Sequence, residues 1–169
     1  MAILQESDFA SGEYCISTNR HDNDLAEYIT TYEKHFLLRL LGAELYGLFI
    51  ADLTVPTPQV PQTQRFIDIF DPFEIDDNSC LHISEGIKEM LKQFVYFYYN
   101  RDKAFYNSAS GYVRNDNENA TNLNYNAPKL VNVYNEGINN YKEIQWYICD
   151  NEATYPEENT QILGPISGI

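Results

Sequence analysis

The stretch from Ile83 to Tyr106, ISEGIKEMLKQFVYFYYNRDKAFY, restricts the fold more than any other part of the chain. Wound as a helix over Ser84–Tyr106, it places Ile87, Leu91, Phe94, Tyr98, Arg101 and Phe105 on one stripe. Met90, Val95 and Phe97 widen that stripe beyond the narrow seam of a two-stranded coil. A helix that is apolar over most of its girth belongs at the centre of a helical domain. Burying seven or eight such side chains contributes roughly 10–20 kcal/mol, at about 1.5–3 kcal/mol each. The other segments are expected to pack around this helix or to project from it.

Two further helical stretches flank it. Leu25, Ile29, Tyr32, Phe36 and Leu40 recur at helical spacing, after His21-Asp22-Asn23-Asp24, which supplies N-cap candidates and early acid. Gly42 reads as the end of that helix, and a short second one follows from Ala43 to Leu53 with Leu45, Leu48, Phe49 and Leu53 on its apolar side. Near the end of the chain, Leu130, Tyr134, Ile138, Tyr141, Ile144 and Ile148 form a stripe beginning at Ala127-Pro128, beside Val133, Trp146 and Tyr147. Gly137 inside that helix costs about 1 kcal/mol against Ala, which points to close packing there.

The connections are less regular. Pro56, Pro58 and Pro61 exclude a helix between Thr54 and Gln64. Alternation in Arg65-Phe66-Ile67-Asp68-Ile69-Phe70 predicts a strand that turns at Asp71-Pro72 and pairs with Phe73-Glu74-Ile75. Asn107 to Gly111 is expected to end the central helix. Eleven of the seventeen Asn residues fall between Asn107 and Asn140, and Asn favours turns and loops by competing for backbone hydrogen bonds. A polar run of this length is usually disordered or functional. The fold class is therefore mainly α: a small helical bundle with a short β-ribbon, a long Asn-rich loop and extended N- and C-terminal arms. At 169 residues this is one domain, divided into an arm over 1–21, a helical core over 22–150 and a tail over 151–169. The arm is expected to hold at most one short strand.

Charge and cysteine content narrow the function. A net charge of −14 repels nucleic acid and anionic membrane, which argues against conventional DNA binding. Cys15, Cys80 and Cys149 are an odd, widely spaced set that suits reduced thiols, and Cys80-x-His82 alone is too little for a metal site. Neither a leader nor a membrane span is expected, because Met1–Leu4 is a short apolar run followed by acid and no run reaches about 18 apolar residues.

Chemistry-bearing motifs do not emerge. There is no Gly-x-Ser-x-Gly elbow, no His beside a Cys other than the Cys80-x-His82 pair, and no phosphate-cradling loop opening a helix. Acidic pairs such as Asp76-Asp77 and Glu157-Glu158 sit in polar runs, whereas general acid work needs a carboxyl in an apolar pocket. Tyr96, Tyr98, Tyr99 and Tyr106 could stack on sugars or bases, but at helical spacing they read as core and interface. No catalytic residue, metal or cofactor is expected, so the chain reads as a non-enzyme.

The order of features nevertheless resembles a known family. YITTYEKHFLLRLLGAELYGLF, the Pro-rich break, ISEGIKEMLKQFVYFYYNRD, SGYVRNDNENA and YNEGINNYKEIQWYICDN follow one another from about Phe9 to Pro156. Together they look like the head–tail connector (adaptor, or head-completion) proteins of tailed phages and prophages of Bacteroidota, crAss-like phages included. The tail after Pro156 is not matched. The resemblance implies a structural virion protein, a subunit of a ring that joins portal to tail and lines the DNA exit channel. Implied partners are the portal, neighbouring copies in a commonly twelvefold ring, other connector or tail proteins, and passing duplex DNA without specific binding; no membrane is involved. The implied location is the head–tail junction of a virion assembled in the host cytoplasm. Extended loops and termini reach neighbours in such rings, which makes Gly111, Tyr112, Val113, Tyr125, Ile162, Leu163, Ile166 and Ile169 the candidate contact residues. Two alternatives come from other classes. An acidic DNA-mimic inhibitor would need acid arrayed at phosphate spacing, and a carbohydrate-binding domain would have to use the tyrosines.

Overall fold

Phe94 sits where three helices meet. In the computed structural model its ring stacks on Phe36 with centroids 3.8 Å apart and planes 7° from parallel, and it is fully buried. Phe36 belongs to α1 (Leu25–Asp52), Phe94 to α3 (Gly86–Lys103), and the ring edge faces Gly137 of α4 (Asn126–Asp150). The structure describes residues 3–16, 24–54, 59–77, 80–103, 105–108, 111–114, 126–157 and 163–165, with backbone alone at 105–108, 111–114 and 126–127. It is mainly helical, as the periodicity requires, and the expected central helix is α3. Ile87, Met90, Leu91, Phe94, Val95 and Phe97 are all buried. Tyr98 and Arg101 remain half-exposed at its C-terminal end.

The helix is shorter than Ser84–Tyr106. Ser84 closes strand β2 (Leu81–Ser84), and Phe105 opens β3 (Phe105–Ser108), which pairs antiparallel with β4 (Gly111–Arg114). The expected helix-ending run therefore contains a hairpin. Gly86 starts α3 with φ +82°, and a Cβ there would collide with the Phe70 carbonyl oxygen, so the entry into the helix requires glycine. Gly42, with φ 71° and ψ 173°, kinks α1 where the helix break was expected. Leu45, Phe49 and Leu53 are buried beyond the kink, but Leu48 is not, at 40% exposure.

The segment Arg65–Phe70 is a correction. It is the helix α2 (Gln64–Phe70), and β1 (Phe73–Asp76) pairs with β2 instead, in the register Phe73↔Ser84 and Ile75↔His82. As a strand, Phe66, Asp68 and Phe70 would share a face and carry a carboxylate inward. As a helix, Phe66, Ile69 and Phe70 lie on one side and all are buried. The Asp52 carboxylate secures the approach to α2 by accepting from the Gln62 and Thr63 backbone N–H groups and the Thr63 hydroxyl.

Both arms return to the bundle as far as they are described. Ile3, Leu4, Phe9, Tyr14 and Ile16 are buried, and the arm turns once through a 3₁₀ segment at Glu6–Phe9. The Lys88 ammonium lies 2.9 Å from the Asp8 carboxylate and ties that turn to α3. After α4, Tyr155 is fully buried and its hydroxyl donates to the Arg65 carbonyl. Between α3 and α4 runs a buried polar tie. The Asn140 side chain donates to Gln93 Oε1 at 2.9 Å and accepts from the Glu85 backbone N–H at 2.9 Å, while Gln93 donates to the Tyr14 hydroxyl at 3.2 Å. Among the described residues no helix is long and apolar enough to cross a membrane.

Two substitutions test this packing. Leu91→Ala is expected to cost about 2–5 kcal/mol through the cavity it leaves, against little change for Glu27→Ala on the exposed side of α1. Gly137→Ala should also destabilise, although Ala favours helix by about 1 kcal/mol. Its Cβ would lie 3.0 Å from Phe94 Cε1, and the Phe36 stack prevents that ring from giving way. Denaturant unfolding measures both; a Gly137→Ala variant more stable than the parent would refute the account.

Candidate interaction surfaces

The contact residues expected from the sequence are only partly described. Gly111, Tyr112 and Val113 lie in β4. Tyr125, Ile162, Ile166 and Ile169 lie outside the described residues, as does the Asn-rich run 115–125. Leu163 is buried in its own chain's core at 9% exposure, so it does not face a neighbour in this conformation.

One surface of a different kind is built at the C-terminal end of α3. Tyr28, Tyr32, His35 and Arg39 follow one another along a face of α1, each about one helical turn after the last. Tyr32 stacks on Tyr98 at 4.1 Å and 17°. The Arg101 guanidinium lies over Tyr98 at 4.5 Å and donates to Asp102 at 2.7 Å. Tyr28 donates to the other Asp102 oxygen at 3.3 Å. Burial, reinforced by the Asp102 charge, pushes the Tyr28 hydroxyl up to about 12, and Tyr32 moves in the same direction. Both hydroxyls are therefore neutral hydrogen-bonding groups at ordinary pH. Burial and the nearby Arg39 charge hold His35 below its usual range. Arg39, half-buried near Tyr134 and His35, meets no carboxylate among the described residues. The surface is aromatic and locally cationic on a chain of charge −14. Tyr and Arg dominate the energetically important positions of protein interfaces.

A second, unlike surface is the outer face of the β1–β2 ribbon. Its inner face is fixed: His82 stacks on Trp146 of α4 with centroids 3.5 Å apart and planes 2° from parallel, and its Nδ1 is 2.8 Å from Glu143. Phe73 lies against Tyr147 with centroids 5.1 Å apart. The alternation of the strands then turns Leu81 and Ile83 outward, at 55% and 54% exposure. Directly across from them stand Asp76 and Glu74, both exposed. Among the described residues the ribbon has only two strands, so each strand has an outer edge with no further strand beside it. The ribbon packs beside Trp146 and the other surface beside Tyr134, which separates them by roughly 20 Å along α4 at about 1.5 Å per residue.

The sequence reading placed the tyrosines in core and interface without assembling this surface, because its members come from α1 and α3. The ribbon's second strand is absent from the sequence expectations, which start the central helix at Ser84 and pair Phe73–Ile75 with Arg65–Phe70. Leu81-His82-Ile83-Ser84 does alternate, and that signal was available. No family model, curated protein or solved structure matches the chain.

A buried carboxylate also escaped the pattern. Glu33 replaces Tyr32 in the inward stripe of α1, with 5% exposure, and accepts from the Leu4 backbone N–H at 2.6 Å. It lines a cavity of about 150 Å³ with Ile3, Leu37, Tyr46 and Gln59. Burial raises its pKa from 4.5 to about 7, against the pull of the Leu4 and Ile3 hydrogen bonds. Since the folded value is the higher one, the unfolded chain ionises first. Stability is therefore expected to fall as pH rises from about 4.5 to about 7 and to level off above, by about 3 kcal/mol in all. Glu33→Gln should flatten this part of the pH–stability curve. Denaturant midpoints between pH 4.5 and 8 check it, and an unchanged slope would assign the dependence to other groups.

Proposed function

We propose that this chain is a structural subunit of the head–tail connector ring of a tailed phage or prophage, placed between portal and tail. The observation that carries the reading is the pair of unlike surfaces on one packed core. A ring built head-to-tail needs two different surfaces on every copy, whereas a two-fold dimer needs one that is self-complementary. Here one end of the α3–α4 pair presents tyrosine and arginine, and the other presents exposed leucine and isoleucine beside carboxylates. The resemblance of the helical segments to connector proteins supports the same assignment.

The charge suits the role. A ring whose copies each carry −14 offers a passing duplex few cations to grip, so DNA slides without stable phosphate contacts. The same charge opposes assembly, since like charges repel within about 10 Å at 0.1 M salt. The free chain is accordingly expected to be monomeric at micromolar concentration and to associate only weakly at millimolar, and the portal templates the ring by supplying surface. Mass by light scattering, with and without a portal protein from the same genome, tests the proposal. A large complex is expected only in the mixture. A mixture in which both proteins keep their separate masses would overturn the connector reading, and tight duplex binding by the complex would overturn the sliding wall.

A further inference from the structure

We infer that the outer face of the β1–β2 ribbon on one copy docks against the Tyr–Arg surface of a second copy, giving a head-to-tail contact; this rests on the ring reading. The two surfaces match in chemistry. Leu81 and Ile83 offer apolar side chains at 55% and 54% exposure, and the half-buried Tyr32–Tyr98 stack offers the apolar edges of two rings held rigidly together. Glu74 stands opposite Ile83 and Asp76 opposite Leu81 in the ribbon register, so carboxylates flank the apolar pair. Arg101 and Arg39 flank the tyrosines in the same way. Opposite charge around an apolar centre selects the partner and its orientation while the centre supplies most of the contact energy.

Other pairings of these surfaces fit less well. Ribbon against ribbon would set Glu74 and Asp76 of two copies together, and like charges brought face to face suppress such a contact. Two Tyr–Arg surfaces would bring four arginines together with only the two Asp102 carboxylates, each already held by Arg101 and Tyr28 of its own copy, to offset them. Only the mixed pairing satisfies both. Because the surfaces lie roughly 20 Å apart along α4 by its rise of about 1.5 Å per residue, neither blocks the other. A copy can use both at once, which is what an extended or closed series requires.

The test uses the full chain alone, so that it is separate from the portal experiment. One variant disables the ribbon (Glu74→Lys with Ile83→Ser) and another the Tyr–Arg surface (Arg39→Glu with Arg101→Glu). Where charge reversal lowers the melting temperature, Arg39→Gln with Arg101→Gln takes its place. Sedimentation at millimolar protein and about 0.15 M salt, where the net repulsion between copies is screened, is expected to show concentration-dependent species beyond dimer for the parent chain, and at least tenfold weaker association for either variant alone. An equimolar mixture of the two variants should give dimers and nothing larger, since each retains the surface that the other lost. A parent chain that stays monomeric, a variant that still associates as well as the parent, or a mixture that yields no dimer would each overturn the contact. If the contact fails while the portal mixture still assembles, this pairing alone falls. If the contact holds and the portal is ignored, the connector reading falls and the pairing stands.

Discussion

The packing of Phe94 is the constraint on which the rest depends. Its ring fills the space between Phe36 and the backbone of α4 at Gly137, so the spacing of three helices is set by one side chain. A larger residue at 137 has no room, and a smaller one at 94 would leave a cavity between α1 and α4. Interiors pack at crystal-like density, so a displacement at this point passes to all three helices. The surface at the far end of α3 inherits its geometry from the same joint, because Tyr98 lies one turn beyond Phe94 and Tyr32 one turn before Phe36.

The apolar joint sets the distance between helices, and the polar tie beside it sets their register. Gln93 is 1% exposed and Asn140 7% exposed, and each meets the other's side chain. Sliding α4 by one turn would strand both amides in the core, where an unmet hydrogen-bonding group costs about 1–3 kcal/mol. Tyr14 joins the same network through Gln93, so the N-terminal arm is held by the register that holds the helices. Glu33 does the equivalent at the start of the arm, binding Leu4 from within the apolar stripe of α1. In both places a polar group selects one arrangement among several that burial alone would allow.

Charge is distributed to the same effect on the surface. Acid prevails over the chain as a whole, but arginines gather where tyrosines can support their planar cations, over Tyr98 and beside Tyr134. Carboxylates gather on the outer face of the ribbon, whose inner face is held by the His82–Trp146 stack. The ribbon is too small to stand alone; its attachment to α4 turns an otherwise marginal hairpin into a fixed surface.

The sequence by itself determined the helical class, the position of the central helix, the break at Gly42 and the tight approach at Gly137. Each rests on a local rule: the 3.6-residue period, the φ that only glycine adopts easily, and the cost of glycine within a helix. Tertiary structure decided the rest. Arg65–Phe70 alternates like a strand, yet it became a helix because only that form turns Asp68 away from the core while burying Phe66, Ile69 and Phe70. Leu81–Ser84 became a strand because Trp146 and Tyr147, more than sixty residues on, supply the surface its ribbon lies against. The candidate surfaces were illegible for the same reason. Tyr32, Arg39, Tyr98 and Arg101 are ordinary residues on separate helices, and the Phe36–Phe94 packing alone brings them to one face.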